Sequence, residues 1–149
     1  MAYTTINKST DYFNTKLYSG NGGTQSITGV GFQPDWTWFK QRDNGSYSHM
    51  AFDAVRGVTK RIEPDTNATE GNQTNGLTAF GTDGFSIGDF SAGNYSGRNY
   101  VAWNWKAGTA VSGNTGGSGT AKTYTGSVNT TSGFSIIKYT GNGTLGHTI

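Results

Sequence analysis

The sequence predicts an all-β protein, an antiparallel β-sandwich with essentially no helix. Three observations carry this expectation. Glycine stands at 24 of 149 positions and proline at only two, and Ser, Thr and Asn dominate the remainder, a mixture suited to frequent tight turns. The apolar positions are rich in Tyr, Phe and Trp, which fit a pleated, half-buried surface. Turn signals recur at roughly 8–12-residue spacing, and no stretch shows helical periodicity.

Residues 1–11 are polar apart from Tyr3 and Ile6 and read as an N-terminal arm, free or docked. Residues 12–108 read as one sandwich module. Its first strand is "YFNTKLYSG", where Phe13, Thr15 and Leu17 alternate with Asn14, Lys16 and Tyr18. "GNGG" reads as a hairpin turn and "TQSITGVGF" as a second strand. In "PDWTWFKQRD", Trp36, Trp38 and Lys40 share one face and Thr37, Phe39 and Gln41 the other, as in a strand covered on both sides. "DNGS" at Asp43–Ser46 offers Asn-Gly for a type I′ turn, with "YSHMAFDAVRG" returning as the partner strand.

"VTKRIEP" follows as a short strand stopped by Pro64, and "DTNATEGNQTNG" as a polar loop. "LTAFGTDGFSIGDF" holds two short strands around a turn. "SAGNYSGRN" reads as a loop, and "YVAWNWKAG" as a strand with Val101, Trp103 and Trp105 on one side. The Gly/Ser/Thr-rich residues 109–122 read as a flexible linker. Residues 123–149 resume the alternation, as the start of a second similar module or as closing strands.

The second module is suggested by a repeat. "YTGNGTLGHTI" at Tyr139–Ile149 copies "YSGNGGTQSI" at Tyr18–Ile27, and Phe134 precedes Tyr139 by the same interval that separates Phe13 from Tyr18. Repetition of this length indicates an array of domains rather than a solenoid.

Composition narrows the chemistry. The net charge is +2, and the basic residues are scattered, without the concentrated stripe of a nucleic-acid binder. No cysteine is present, so neither disulfide nor thiol chemistry is available. No run approaches the roughly 20 apolar residues of a membrane span, and the N-terminus lacks a signal-peptide pattern. Glu63 and Asp65 are the only carboxylates at the i, i+2 spacing of a retaining glucanase pair, and Pro64 between them marks a turn. His49 and His147 belong to no recognisable triad. Asp65–Asn67 offers oxygen ligands for calcium but no complete set, so neither a metal nor another cofactor is expected.

Aromatics remain. Trp36, Trp38, Trp103 and Trp105 read as core, and Arg56, Lys60 and Arg61 as sheet-surface charges. Tyr47 beside Asn44, and Tyr95 beside Asn94, are loop aromatics flanked by amides. Rings stack on sugar faces while amides bond hydroxyls, so Asn44, Tyr47, Asn94 and Tyr95 are the candidate glycan-binding residues.

As a whole pattern, "GFQPDW", "DAVRGVTK" and "WNWKAG" resemble virion structural proteins of marine bacteriophages, especially phages of cyanobacteria, over residues 1–108 and again from about 123. Those fibre-like proteins carry modules similar to the concanavalin A-like lectin/glucanase jelly roll. The resemblance implies a non-catalytic building block of a phage particle, tail-fibre-like or a head decoration, assembled in the host cytoplasm and located on the virion. Its implied partners are other virion proteins, met through the N-terminal arm, further copies of itself in a homo-oligomer, and host surface polysaccharide. A carbohydrate-binding module is the alternative role.

Overall fold

The structure, a computed structural model, describes residues 6–149. A 3₁₀ turn at Ser9–Asp11 leads into β1 (Phe13–Ser19), β2 (Gln25–Thr28), β3 (Trp36–Gln41), β4 (Met50–Asp53), β5 (Lys60–Arg61), β6 (Gly71–Asn72), β7 (Leu77–Gly81) and β8 (Gly84–Ile87). A single helical turn, α1 (Ser91–Asn94), precedes β9 (Asn99–Trp105). Then come β10 (Thr109–Asn114), β11 (Gly116–Gly117), β12 (Thr123–Asn129), β13 (Phe134–Tyr139) and β14 (His147–Thr148). The all-β expectation holds. The departure is α1, expected as loop, and among the described residues no helix is long and apolar enough to cross a membrane.

Two antiparallel sheets form the sandwich, one ordered β1-β9-β3-β4 and the other β2-β8-β7. Their facing side chains make the core: Phe39, Met50, Phe52 and Ala102 from the first meet Ile27, Leu77, Phe85 and Ile87 from the second. Phe39 stacks on both Phe52 and Phe85, with centroids 5.6 and 6.5 Å away. Burying such side chains is worth about 1.5–3 kcal/mol each, which makes this the main stabilising element. The "GNGG" segment therefore makes no hairpin: β1 pairs with β9 and β2 with β8, so the turn carries the chain from one sheet to the other. By contrast β7 and β8 form the expected hairpin, and Gly84 is required there because a Cβ would meet the Ile27 carbonyl at 2.0 Å.

The Asn44-Gly45 turn is also different. β3 and β4 do pair, Phe39 opposite Met50, but residues 42–49 form a longer connection. Among the described residues no non-glycine has a positive φ, and Gly45 does not adopt one either, so no type I′ turn forms. Instead Asn44 Oδ1 accepts bonds from the Ser46 backbone N–H (3.0 Å) and hydroxyl (2.7 Å).

The four tryptophans are not in the core. Strand alternation puts Thr37, Phe39, Gln41, Tyr100, Ala102 and Asn104 inside, fully or almost fully buried, and turns the half-buried Trp36, Trp38, Trp103 and Trp105 to the outer face. Trp38 meets Trp103 edge-on at 5.8 Å and donates to His49 Nδ1 at 2.9 Å. The buried polar groups of the inner face bond one another: Thr37 Oγ1 donates to Asn104 Oδ1 at 3.1 Å, and Asn104 Nδ2 to the Asn14 carbonyl at 3.2 Å.

Residues 109–122 are not a flexible linker. Thr109–Asn114 forms β10, paired along its length with β12 in a third sheet ordered β10-β12-β13. Its alternation is hidden by small residues, because Thr109, Ala110 and Ser112 remain exposed in the strand. Side-chain bonds fix the junction: on the sandwich side Asp35 Oδ2 accepts the Ala107 N–H at 2.8 Å, and Ser127 Oγ of β12 reaches across to accept the Gly108 N–H at 2.8 Å. Of the N-terminal arm, residues 1–5 lie outside the described residues. The remainder leads into β1, and Ile6 and Ser9 line a small pocket with Phe13, Trp105 and Phe134.

The repeat is structural as well as textual. In the first copy Asn21 Oδ1 accepts the Gly23 N–H at 2.8 Å beside Gly22 at φ 72°; in the second Asn142 Oδ1 accepts the Thr144 N–H at 2.9 Å beside Gly143 at φ 77°. Both follow a strand that opens on Phe and contains the matching Tyr, β1 and β13.

Candidate functional site

The site is built at the end of the sandwich where β1, β3 and β9 meet α1. Tyr100, fully buried on β9, accepts the Tyr95 N–H at 2.9 Å and donates to the Ser91 carbonyl at 3.0 Å. Tyr18 stacks on it at 5.0 Å and donates to the Gly93 carbonyl at 2.8 Å. Burial pushes both phenols above the ordinary tyrosine value, so they stay protonated donors. Together they hold the helical turn that presents Tyr95.

Asn94 has a different task from the one its neighbours suggested. It is fully buried, so it offers a ligand nothing. Its amide donates to Asn21 Oδ1 (3.0 Å), the Gly88 carbonyl (2.8 Å) and the Gly23 carbonyl, while its oxygen accepts from the Asn21 N–H (2.9 Å) and Gln25 Nε2 (2.6 Å). Asn94 therefore staples the "GNGG" crossover to α1. Gly20 completes the clamp, since a Cβ there would stand 2.2 Å from the Tyr95 carbonyl oxygen.

The other three candidates converge. Asn44, Tyr47 and Tyr95 line one pocket of ≈ 210 Å³ with Gln41, Ser46 and Arg98. Tyr95 is half-exposed, with the Arg98 guanidinium 6.0 Å from its ring centre. Gln41 and Arg98 were not singled out in the sequence; the available signal was a glutamine at the end of the buried register Thr37–Phe39–Gln41. Gln41 is 3% exposed and its Nε2 donates to Asp43 Oδ1 at 3.1 Å. A carboxylate only accepts, so this bond fixes the amide orientation and leaves Oε1 buried with no hydrogen-bond partner. Asp43 also accepts from the Asn99 N–H (3.0 Å) and Nδ2 (3.1 Å). These bonds, the one from Gln41 first, hold its carboxyl below the ordinary value and therefore ionised.

A larger groove of ≈ 580 Å³ runs between Val55 and the β10-β12 sheet. Its lining of small apolar and hydroxyl side chains offers no aromatic platform and no charge, so the smaller pocket has the richer recognition chemistry.

The remaining candidates have structural partners. Glu63 pairs with Arg61 at 2.9 Å, and Asp65 Oδ1 accepts the His49 N–H at 3.0 Å. Arg56 is not a surface charge: its side chain is 12% exposed and grips the fully buried Asp53 at 2.5 Å. His147 Nε2 bonds Thr115 Oγ1 at 2.5 Å. Among the described residues no group of three or more His, Cys, Asp or Glu is placed to hold a metal ion.

The chain belongs to the family described as Domain of unknown function (DUF7483), which matches residues 8–149. Comparison with curated proteins and with solved structures found no match.

Proposed function

We propose that this chain is a non-catalytic structural component of a bacteriophage virion, a tail-fibre-like or head-decorating appendage assembled from serial β units. The observation that carries the reading is the repeated turn: Asn21-Gly22 and Asn142-Gly143 adopt the same geometry after equivalent strands, and the second unit is held to the first where Ser127 Oγ accepts the Gly108 N–H and Phe134 stacks on Trp105. Units joined this rigidly transmit position along an appendage, whereas a free linker does not.

Exposed apolar side chains support partners within the particle. Leu145 is 97% exposed, and Leu17, Tyr139 and Ile149 are more than half exposed. Side chains of this kind, together with open sheet edges at β1 and β13, suit self-association and docking to other virion proteins. Labelling purified phage particles with an antibody against this chain tests the proposal. Regularly placed label on head or tail is the expected result. Protein confined to the lysate, with none on particles, overturns it.

The second reading is recognition of host surface glycans, favoured by the convergence of Asn44, Tyr47 and Tyr95 on one pocket. A surface appendage and a glycan reader are compatible roles. A glycan array with Tyr47→Ala and Tyr95→Ala variants tests it, and equal binding by the variants overturns it.

A further inference from the structure

Resting on the glycan-binding reading, we infer that the Gln41–Tyr95 pocket takes a single neutral sugar unit, one of whose hydroxyls donates to the unpaired oxygen of Gln41. The pocket's ≈ 210 Å³ is below the roughly 300–1,000 Å³ of sites for drug-sized ligands, which suits one ring rather than a chain. Its chemistry is that of a sugar face. Tyr47 and Tyr95 supply aromatic surface, Asn44 and Ser46 supply hydroxyl-bonding groups, and Arg98 supplies donors without an acidic partner among the described residues.

Gln41 gives the decisive observation. Buried acceptors are nearly always bonded, yet Gln41 Oε1 has no partner while its amide nitrogen is committed to Asp43. A hydroxyl arriving in the pocket satisfies it. A carboxylate or sulfate cannot, because it brings only acceptors.

Charge agrees with a neutral ligand. An anion accompanies the Arg98 cation of the lining, since the Asp43 carboxylate accepts from Gln41 Nε2, and the Lys40 ammonium is spent on the Tyr47 carbonyl. The Gln41 oxygen is closed to solvent, so the pocket lining shifts as the sugar reaches it.

The test is an amide-resolved NMR titration of the whole chain with neutral methyl hexosides and, separately, with methyl glucuronide. A neutral hexoside is expected to shift the amides of residues 41–47 and 95–98, and Gln41→Met is expected to weaken it at least tenfold with the melting temperature monitored. If Gln41→Met fails to fold, Arg98→Ala at the rim carries the same expectation. Wild-type affinity in a folded Gln41→Met overturns the inference while leaving glycan binding intact. Tighter binding of the glucuronide overturns the neutral class. If no sugar shifts any of these amides, the inference and the glycan-binding reading fall together.

Discussion

Phe134 of β13 stacks on Trp105 of β9, with ring centroids 5.9 Å apart and planes 19° apart. Phe13, its counterpart in the repeat, meets the same indole at 4.8 Å. One tryptophan thus serves both copies, and the outer face of the sandwich becomes the seat of the second unit. An aromatic pair contributes about 0.5–1.5 kcal/mol beyond the area it buries. Phe134→Ala should therefore lower stability by about 1–2 kcal/mol in urea unfolding. Hydrogen exchange should quicken in β10, β12 and β13 but not in β3 or β9; uniform quickening would mean that the two units unfold as one.

Asn94→Ala should be far more damaging than its sequence context suggests. It removes a fully buried amide with bonded partners on β2, α1's approach and the "GNGG" crossover, and each stranded partner costs about 1–3 kcal/mol. A loss of about 3 kcal/mol or more is expected in urea unfolding. A loss under 1 kcal/mol would refute the stapling role.

Arg56→Ala should destabilise by about 3–5 kcal/mol, because it leaves the buried Asp53 carboxylate without its charge partner. Glu70, 3.2 Å from the same guanidinium, has a side chain 43% exposed and should matter less. Thermal melts of Arg56→Ala and Glu70→Gln distinguish the two; equal effects would contradict this ranking.

Stability should carry two pH signatures of opposite sign. Burial raises the Asp35 carboxyl above its ordinary value, so its contribution is complete below that value and is lost as pH rises through the raised one. Asp35→Asn keeps an acceptor for the Ala107 N–H and should remove this decline. Asp83 behaves oppositely. Bonds from the Gly31 N–H (2.6 Å) and the Gly29 N–H (2.9 Å) lower its carboxyl, so its contribution is present above the ordinary value and is lost as pH falls through the lowered one. Asp83→Asn should flatten the acid side of the profile. Unchanged melting-temperature profiles in both variants would contradict the assignments.

Much of the fold was legible because strand alternation is a local property. β1, β3, β7, β8 and β9 lie where apolar and polar residues take turns, and the turn before Gly84 was marked by Asp-Gly. β10 was missed because Ala, Ser and Gly give little contrast between faces, although pairing with β12 makes the segment a strand. Of the site, Tyr47, Tyr95 and Asn44 were visible as loop aromatics and an amide. Gln41 was not, since nothing local to it shows that its amide oxygen is buried without a partner.

The sequence by itself determined which residues share a face, that the chain is all-β, and that its opening motif returns near its close. Only the tertiary structure decided which face is inside. A strand's alternation is indifferent to that choice, which depends on the layer that arrives to cover it. Here the β2-β8-β7 sheet covers Phe39 and Ala102 and leaves the tryptophans outside. The same reason governs Asn94 and Asn44: two amides beside tyrosines look alike in the chain, but their neighbours across sheets bury one and leave the other on the wall of a pocket.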